Sequence, residues 1–322
     1  MNRRRFLEAT ASALAVGATT SAFAQTPPAA PAAAAPAGPP PPRPAWTSKH
    51  AFKLKYAPHI GMFKESAGPD PLEQLRFMAD NGFTAFEDNG MMKRPVEQQQ
   101  AMGDLMAKLG ITMGVFVVET GGNNNTGFTP GKPDQGAVFA KQCEAAVETA
   151  KRCHAKWMTV VPGSFERKLP IEHQTANVID TLRFGADVLA KHNLVMVLEP
   201  LSDNPDLFLR FQAQGYMICR AVNSPACKIL CDMYHVQRNE GHIIPRIELA
   251  WTEIGYFQIG DNPGRREPGT GEVNYKNIFK FIHTKAKADN REFVLGMEHG
   301  NSITGADGER AVIDAYAAAD SF

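Results

Sequence analysis

The sequence predicts an α/β fold of the (β/α)8 barrel type, and three observations carry that prediction. Eight short apolar runs alternate with eight longer helical stretches from residue 54 onward. Several of the apolar runs are continuous, as parallel strands buried on both faces are. The spacing of about 35 residues matches one βα unit, so residues 46–322 accommodate a single barrel domain. The strand candidates are 54–60, 83–87, 111–118, 156–161, 194–199, 227–232, 255–260 and 292–298. The helical candidates lie near 70–81, 95–109, 134–153, 171–192, 206–222, 243–253, 274–288 and 308–318.

Local chemistry supports these elements in turn. Strand 54–60 runs into Pro58-His59, and Asp70-Pro71 then opens a helix with a capping residue and a proline at its first position. Gly82 stops that helix before strand 83–87, and Pro95 and Gly110 bracket the next. Val115-Phe116-Val117-Val118 gives strand 111–118 its apolar run, and Gly121-Gly122-Asn123-Asn124-Asn125 reads as a mobile loop on the catalytic face, with its closure over substrate left open. Pro133-Asp134 starts the fourth helix, and Trp157 reads as core within strand 156–161. Pro170 opens the fifth helix, and Asn193 precedes the run Val195-Met196-Val197-Leu198. The last three strands follow the same rule of an apolar run between two helices. An open doubly wound sheet would require a glycine-rich phosphate turn after an early strand, and none is present.

The chain of 322 residues has 34 Lys+Arg and 34 Asp+Glu. Residues 1–45 hold four Arg and one Glu, which leaves 30 basic and 33 acidic residues in the body. A mildly acidic body argues against nucleic acid and leaves small molecules as the expected ligands. Residues 1–24 resemble a twin-arginine signal peptide: Arg3-Arg4 precede Phe6-Leu7, a weakly apolar run follows from Ala9 to Phe23, and Ala22-Phe23-Ala24 suits cleavage before Gln25. That run is too short and too rich in Ala, Gly and Thr for a stable membrane anchor. The expected location is therefore periplasmic or otherwise exported. Residues 25–45 are mainly Pro and Ala and read as a disordered, semi-rigid linker. Five cysteines form no C-x-x-C, and Cys227 and Cys231 on one strand would stand about 13 Å apart, so all five read as buried thiols. The sequence leaves the oligomeric state open.

Chemistry in such a barrel sits at the C-terminal ends of its strands. Four successive ends carry a polar residue where an apolar run stops: Leu198-Glu199-Pro200, Cys231-Asp232-Met233-Tyr234-His235, Phe257-Gln258-Ile259 and Met297-Glu298-His299. Alternation places Gln258 on one face with Tyr256 and Gly260, and Glu298 with Gly296 and Val294. Three carboxylates in one mouth repel unless a cation joins them. Glu199, Asp232, Gln258 and Glu298 form an all-oxygen set, which favours Mg2+ or Mn2+. His235 falls off the inward alternation and is expected in a loop, in reach of a substrate hydroxyl. Arg265 and Arg266 lie in a Gly/Pro-rich loop, where an Arg fork suits a carboxylate. Arg265 is the expected contact and Arg266 the solvated one. His59, Glu87 and Glu119 also end strands but stay outside the catalytic set.

These strand ends, and above all the stretch Ile254-Gly255-Tyr256-Phe257-Gln258-Ile259-Gly260-Asp261-Asn262-Pro263-Gly264-Arg265-Arg266-Glu267-Pro268-Gly269-Thr270-Gly271-Glu272-Val273-Asn274-Tyr275, resemble the hydroxypyruvate isomerase group of the xylose-isomerase-like barrel superfamily. The resemblance covers 54–300. It implies metal ligation by Glu199, Asp232, Gln258 and Glu298, with Glu199 and Glu298 as the catalytic acid/base pair. It further implies that His235 and Arg265 contact a small hydroxy-keto acid or ketose. The expected reaction is hydroxypyruvate to tartronate semialdehyde. A ketose 3-epimerase or inosose dehydratase-like enzyme is the alternative on the same site, and a non-catalytic exported sugar-binding protein is the alternative of another class. The twin-arginine segment and Pro/Ala linker set this chain apart from typical members.

Overall fold

The computed structural model describes residues 49–118 and 125–322, and its eight apolar runs all become parallel strands. In chain order the elements are β1 (Lys55–Ala57), α1 (Lys64–Ala67), α2 (Pro71–Asp80), β2 (Ala85–Phe86), α3 (Val96–Leu109), β3 (Thr112–Met113) and α4 (Gln135–Cys153). They continue with β4 (Trp157–Val160), α5 (Ile171–Ala190), β5 (Val195–Leu198), α6 (Gln212–Val222), β6 (Cys227–Asp232), α7 (Met233–Asn239) and α8 (Ile243–Ala250). The last are β7 (Ile254–Gln258), α9 (Tyr275–Ala288), β8 (Val294–Gly296) and α10 (Gly305–Ala319).

Six strands form one continuous sheet in the order β1-β8-β7-β6-β5-β4, and β2 pairs with β3. Single parallel bridges close the two remaining gaps, His59 to Glu87 and Val117 to Thr159. The amide of Glu87 donates to Pro58 O at 3.1 Å and that of Thr159 to Phe116 O at 2.8 Å. Every strand therefore has two neighbours, which is the (β/α)8 barrel and removes free sheet edges. Its interior is filled by Ala57, Ala85, Val115, Val197, Leu230, Tyr256 and Val294, one from each of seven strand paths. Small residues on the β1–β3 side make room for the large Tyr256 ring. At Gly114 a Cβ would lie 2.3 Å from the Tyr256 hydroxyl, so only glycine fits there. A second apolar layer lies between strands and helices.

The expected starts and stops hold where capping chemistry is strong. Asp70 accepts from the Leu72 amide at 2.9 Å, Pro95 and Pro170 precede α3 and α5, and Gly110 ends α3 at φ 69°. Differences arise where tertiary contacts intervene. The stretch 206–222 is helical only from Gln212, because Leu207 bridges to Ser164 and the Phe208 amide donates to Gly163 O. The stretch 243–253 divides into α8 and a 3-10 turn at Trp251–Glu253. Most strands are shorter than their apolar runs; strand 111–118 pairs regularly only over Thr112–Met113. All five cysteines are buried and free, with Cys219 and Cys227 Sγ atoms 4.0 Å apart. No helix among the described residues is long and apolar enough to cross a membrane. Segments 1–24 and 25–45, Glu119 and loop positions 121–124 lie outside the described residues.

Candidate active site

The strand ends deliver their polar side chains to one mouth. Glu199 follows the last residue of β5 and is 7% exposed; Asp232 and Gln258 end β6 and β7, are each 1% exposed and stand opposite one another in register. Glu298 lies two residues beyond β8, with its side chain 26% exposed. Asp232 serves two elements at once. Its Oδ1 accepts from the Tyr234 amide at 2.8 Å and caps α7, while Oδ2 faces the mouth.

His235 is a correction. It is not in a loop but on the first turn of α7, which the Asp232 cap starts directly after the strand. Its Nδ1 accepts from the Ser202 amide at 3.2 Å and lies 2.7 Å from Ser202 Oγ. With Nδ1 an acceptor, the neutral ring carries its proton on Nε2. Nε2 lies 3.3 Å from Asp232 Oδ2 and 3.8 Å from Glu199 Oε1, and has no hydrogen-bond partner among the described residues. Burial pushes this imidazole below its usual pKa, with Asp232 opposing, so it presents a neutral N–H to the mouth.

Arg265 comes from the loop after β7, whose shape is set by Asp261. That buried carboxylate accepts from the amides of Asn262, Gly269, Gly271 and Val273 at 2.8–3.1 Å. The Arg265 amide donates to Asp261 O at 2.7 Å, and its φ is 49°. Its Nη2 bridges Asp232 Oδ2 at 2.9 Å and Glu298 Oε2 at 2.8 Å, and Nε donates to Glu298 O at 3.1 Å. Burial works against this guanidinium's charge, but Asp232, Glu298 and Glu199 outweigh it and hold its pKa above the ordinary value. Arg266 is exposed, as expected.

The two glutamates are electrostatically strained. Burial, then Glu298 and Asp232, push Glu199 well above the carboxylate range. Burial also raises Glu298, to about 7, although Arg265 pulls it down. One guanidinium does not offset three carboxylates, and a divalent cation would. The residues fit one. Glu199, Asp232 and His235 present ligand atoms within 4.8 Å of one another. Gln258 Oε1, beside Asp232, is buried with no hydrogen-bond partner among the described residues, which suits a metal-ligand atom. With its proton on Nε2 the imidazole of His235 is no ligand, which leaves Glu199 and Asp232 as the two carboxylates of that group.

Sequence reasoning left out two residues that the structure brings to the mouth. Glu87, at the end of β2, turns inward and is 1% exposed; it accepts from Tyr256 Oη at 3.0 Å and from Gln258 Nε2 at 3.4 Å. Burial and the nearby Glu298 raise its pKa well above the usual range. Asn89 Nδ2 donates to Glu298 Oε1 at 3.0 Å. Both residues line a cavity of about 240 Å³ with His59, Asp88 and Glu298. The signal for Glu87 was a polar residue ending an apolar run; nothing in the sequence distinguishes Asn89 from a loop asparagine. The ring nitrogens of His59 face the carbonyls of Ile60 and His299, which ties it to the backbone.

Known proteins share this arrangement of elements. The chain is 31% identical over 163 residues to hydroxypyruvate isomerase of Escherichia coli, a match spanning 50% of this chain and 62% of that protein. It is 28% identical over 222 residues to 2-oxo-tetronate isomerase of Cupriavidus necator, covering 66% and 82% of the two chains. The crystal structure of AP endonuclease, family 2 from Brucella melitensis matches with a TM-score of 0.68 at 22% identity, over 79% of this chain and 96% of that one, a likeness of fold. The family described as xylose isomerase-like TIM barrel matches residues 75–317. With three quarters of its length inside that match and every strand in the ring, the chain belongs to the xylose isomerase-like TIM barrel family.

Proposed function

We propose that the protein is a metal-dependent isomerase of small hydroxy-keto acids, with hydroxypyruvate to tartronate semialdehyde as its reaction. The observation that carries this reading is the pair Glu199 and Glu298, both pushed up in pKa, flanking Asp232 and Arg265 in one mouth. A carboxylate whose pKa approaches neutrality is a competent proton carrier near physiological pH. The isomerisation needs two transfers. One glutamate takes the proton from the carbon bearing the hydroxyl, and a proton is returned to the former carbonyl carbon. The hydroxyl proton moves to the former carbonyl oxygen, so atoms balance and no external oxidant is required.

Glu199, Asp232, Gln258 and Glu298 would hold Mg2+ or Mn2+, which polarises the substrate's oxygens and lowers the acidity barrier at carbon. The neutral Nε2–H of His235 is placed to donate to a substrate oxygen. Arg265 is the expected partner of the substrate carboxylate: Asp232 and Glu298 engage its Nη2 and Nε, and the Nη1 end would reach the substrate. The similarity to hydroxypyruvate isomerase and 2-oxo-tetronate isomerase supports a keto acid over a neutral sugar. We further propose export, on the strength of Arg3-Arg4 and Ala22-Phe23-Ala24; a mature N-terminus at Gln25 outside the cytoplasm would bear it out, and one at Met1 would overturn it.

The deciding experiment incubates the protein with Mn2+ and, in parallel, hydroxypyruvate or neutral ketoses in D2O and follows deuterium entry and tartronate semialdehyde by NMR. Exchange with product formation supports the proposal. Exchange only at C3 of neutral ketoses would replace it with an epimerase. Ligand binding without any exchange would replace it with a sugar-binding protein.

A further inference from the structure

We propose that Glu87 is a positioning residue that sets which end of the Gln258 amide faces the mouth. The proposal rests on the reading of Gln258 as a metal ligand. A glutamine ligand has a problem that a carboxylate ligand lacks. Its two ends have nearly the same shape, but only the oxygen can bind a hard cation and the NH2 end repels one. Something must choose between them.

Glu87 is built to make that choice. Both of its oxygens lie 3.4 Å from Gln258 Nε2, so one accepts whatever the protonation state of the other. With Nε2 held there, Oε1 is left buried and without a partner among the described residues. The seat of Glu87 is itself prepared by three other strands. Tyr256, two residues before Gln258 on β7, donates its hydroxyl to Glu87 Oε2 at 3.0 Å. Gly296 on β8 leaves the space the carboxylate occupies: a Cβ there would lie 1.9 Å from Oε2. Gly114 leaves the space for the Tyr256 hydroxyl, where a Cβ would lie 2.3 Å away. A buried carboxylate is costly to place in a barrel core, and a merely structural hydroxyl partner for Tyr256 would not require it to face the Gln258 amide with both oxygens.

Mn2+ titration by calorimetry tests this on the intact protein. Glu87→Gln keeps the shape but offers an amide that accepts either end of Gln258. Outer partners of metal ligands typically contribute 10–100-fold in affinity, and a loss of about 10-fold or more is expected here. A simple charge effect would also weaken Mn2+, so the same change is made in a Gln258→Ala background. If Glu87 acts through Gln258, it then has no further effect; if the loss persists there, the charge alone explains it and the proposal falls. Unaltered affinity in Glu87→Gln with Gln258 present also overturns it. If Glu87→Gln lowers the metal-free melting temperature sharply, Tyr256→Phe runs the same cycle, since it keeps the charge and loosens the carboxylate. Wild-type protein that binds no divalent cation would overturn the metal reading and this proposal together, whereas wild-type binding with an insensitive Glu87→Gln overturns this proposal alone.

Discussion

The wall formed by β5, β6, β7 and β8 and the wall formed by β1, β2 and β3 do different work in the same ring. The first is part of a continuous six-stranded sheet, and its strand ends carry Glu199, Asp232, Gln258 and Glu298. In the second, β1 pairs regularly with β8, but β2 meets β1 and β3 meets β4 only through single bridges, and Ala57, Ala85 and Gly114 are small residues on its inner side. Those small residues accommodate what the other wall projects, the Tyr256 ring above all. One wall supplies charge and the other supplies the volume in which that charge is arranged. Glu87 and Asn89 are where the roles cross, since each comes from the second wall and bonds a side chain of the first.

The sharpest way to break this contrast is to remove the proton carriers. Glu199→Gln and Glu298→Gln should each lower turnover by about 10²-fold or more while the metal-free melting temperature holds or rises, because each removes a carboxylate whose charge its surroundings oppose. Retained substrate proton exchange at the wild-type rate would take that residue out of the pair. Asp232→Asn is expected to weaken Mn2+ by at least about 10-fold in calorimetry, as a charged oxygen facing both neighbours is lost. Arg265→Ala should raise KM for the keto acid by about 10-fold, well beyond its effect on neutral ketoses; equal damage to both would point away from carboxylate recognition.

The pH dependence of stability follows from the same wall. Glu298 in the folded, metal-free protein titrates at about 7, above its ordinary 4.5. The folded state therefore binds more protons than the unfolded state between those values, and this contribution is present below 4.5 and lost as pH rises through about 7. Its size is on the order of 1–3 kcal/mol. Adding Mn2+ should remove most of that loss, and melting curves across the interval with and without the ion would show it. The smallest effect belongs to the other wall. Asp70→Ala removes the cap of α2, costs about 1 kcal/mol and should leave turnover unchanged. A matching loss of activity would mean that packing on the β1–β3 side reaches the mouth.

Much of this arrangement was legible in the residue order. Apolar runs of strand length with Pro-led helices between them are local signals, so the eightfold alternation and the strand ends at Glu199, Asp232, Gln258 and Glu298 could be read without a structure. His235 could not be placed, because α7 starts only when the Asp232 side chain turns back to cap it. The start of α6 likewise depends on the pairing of Leu207 with Ser164, distant in sequence.

By itself the sequence determined that a ring of eight parallel strands would form and which of its ends would be charged, since hydrophobic periodicity and capping act within a few residues. Only the tertiary structure decided how those charges are partnered. Glu87 meets Gln258 across 171 positions, and Arg265 meets Asp232 and Glu298 from a loop shaped by Asp261. Such pairings depend on barrel closure, which brings the end of β2 inward against β7 and sets Glu87 against the Gln258 amide and Asp232 against Arg265.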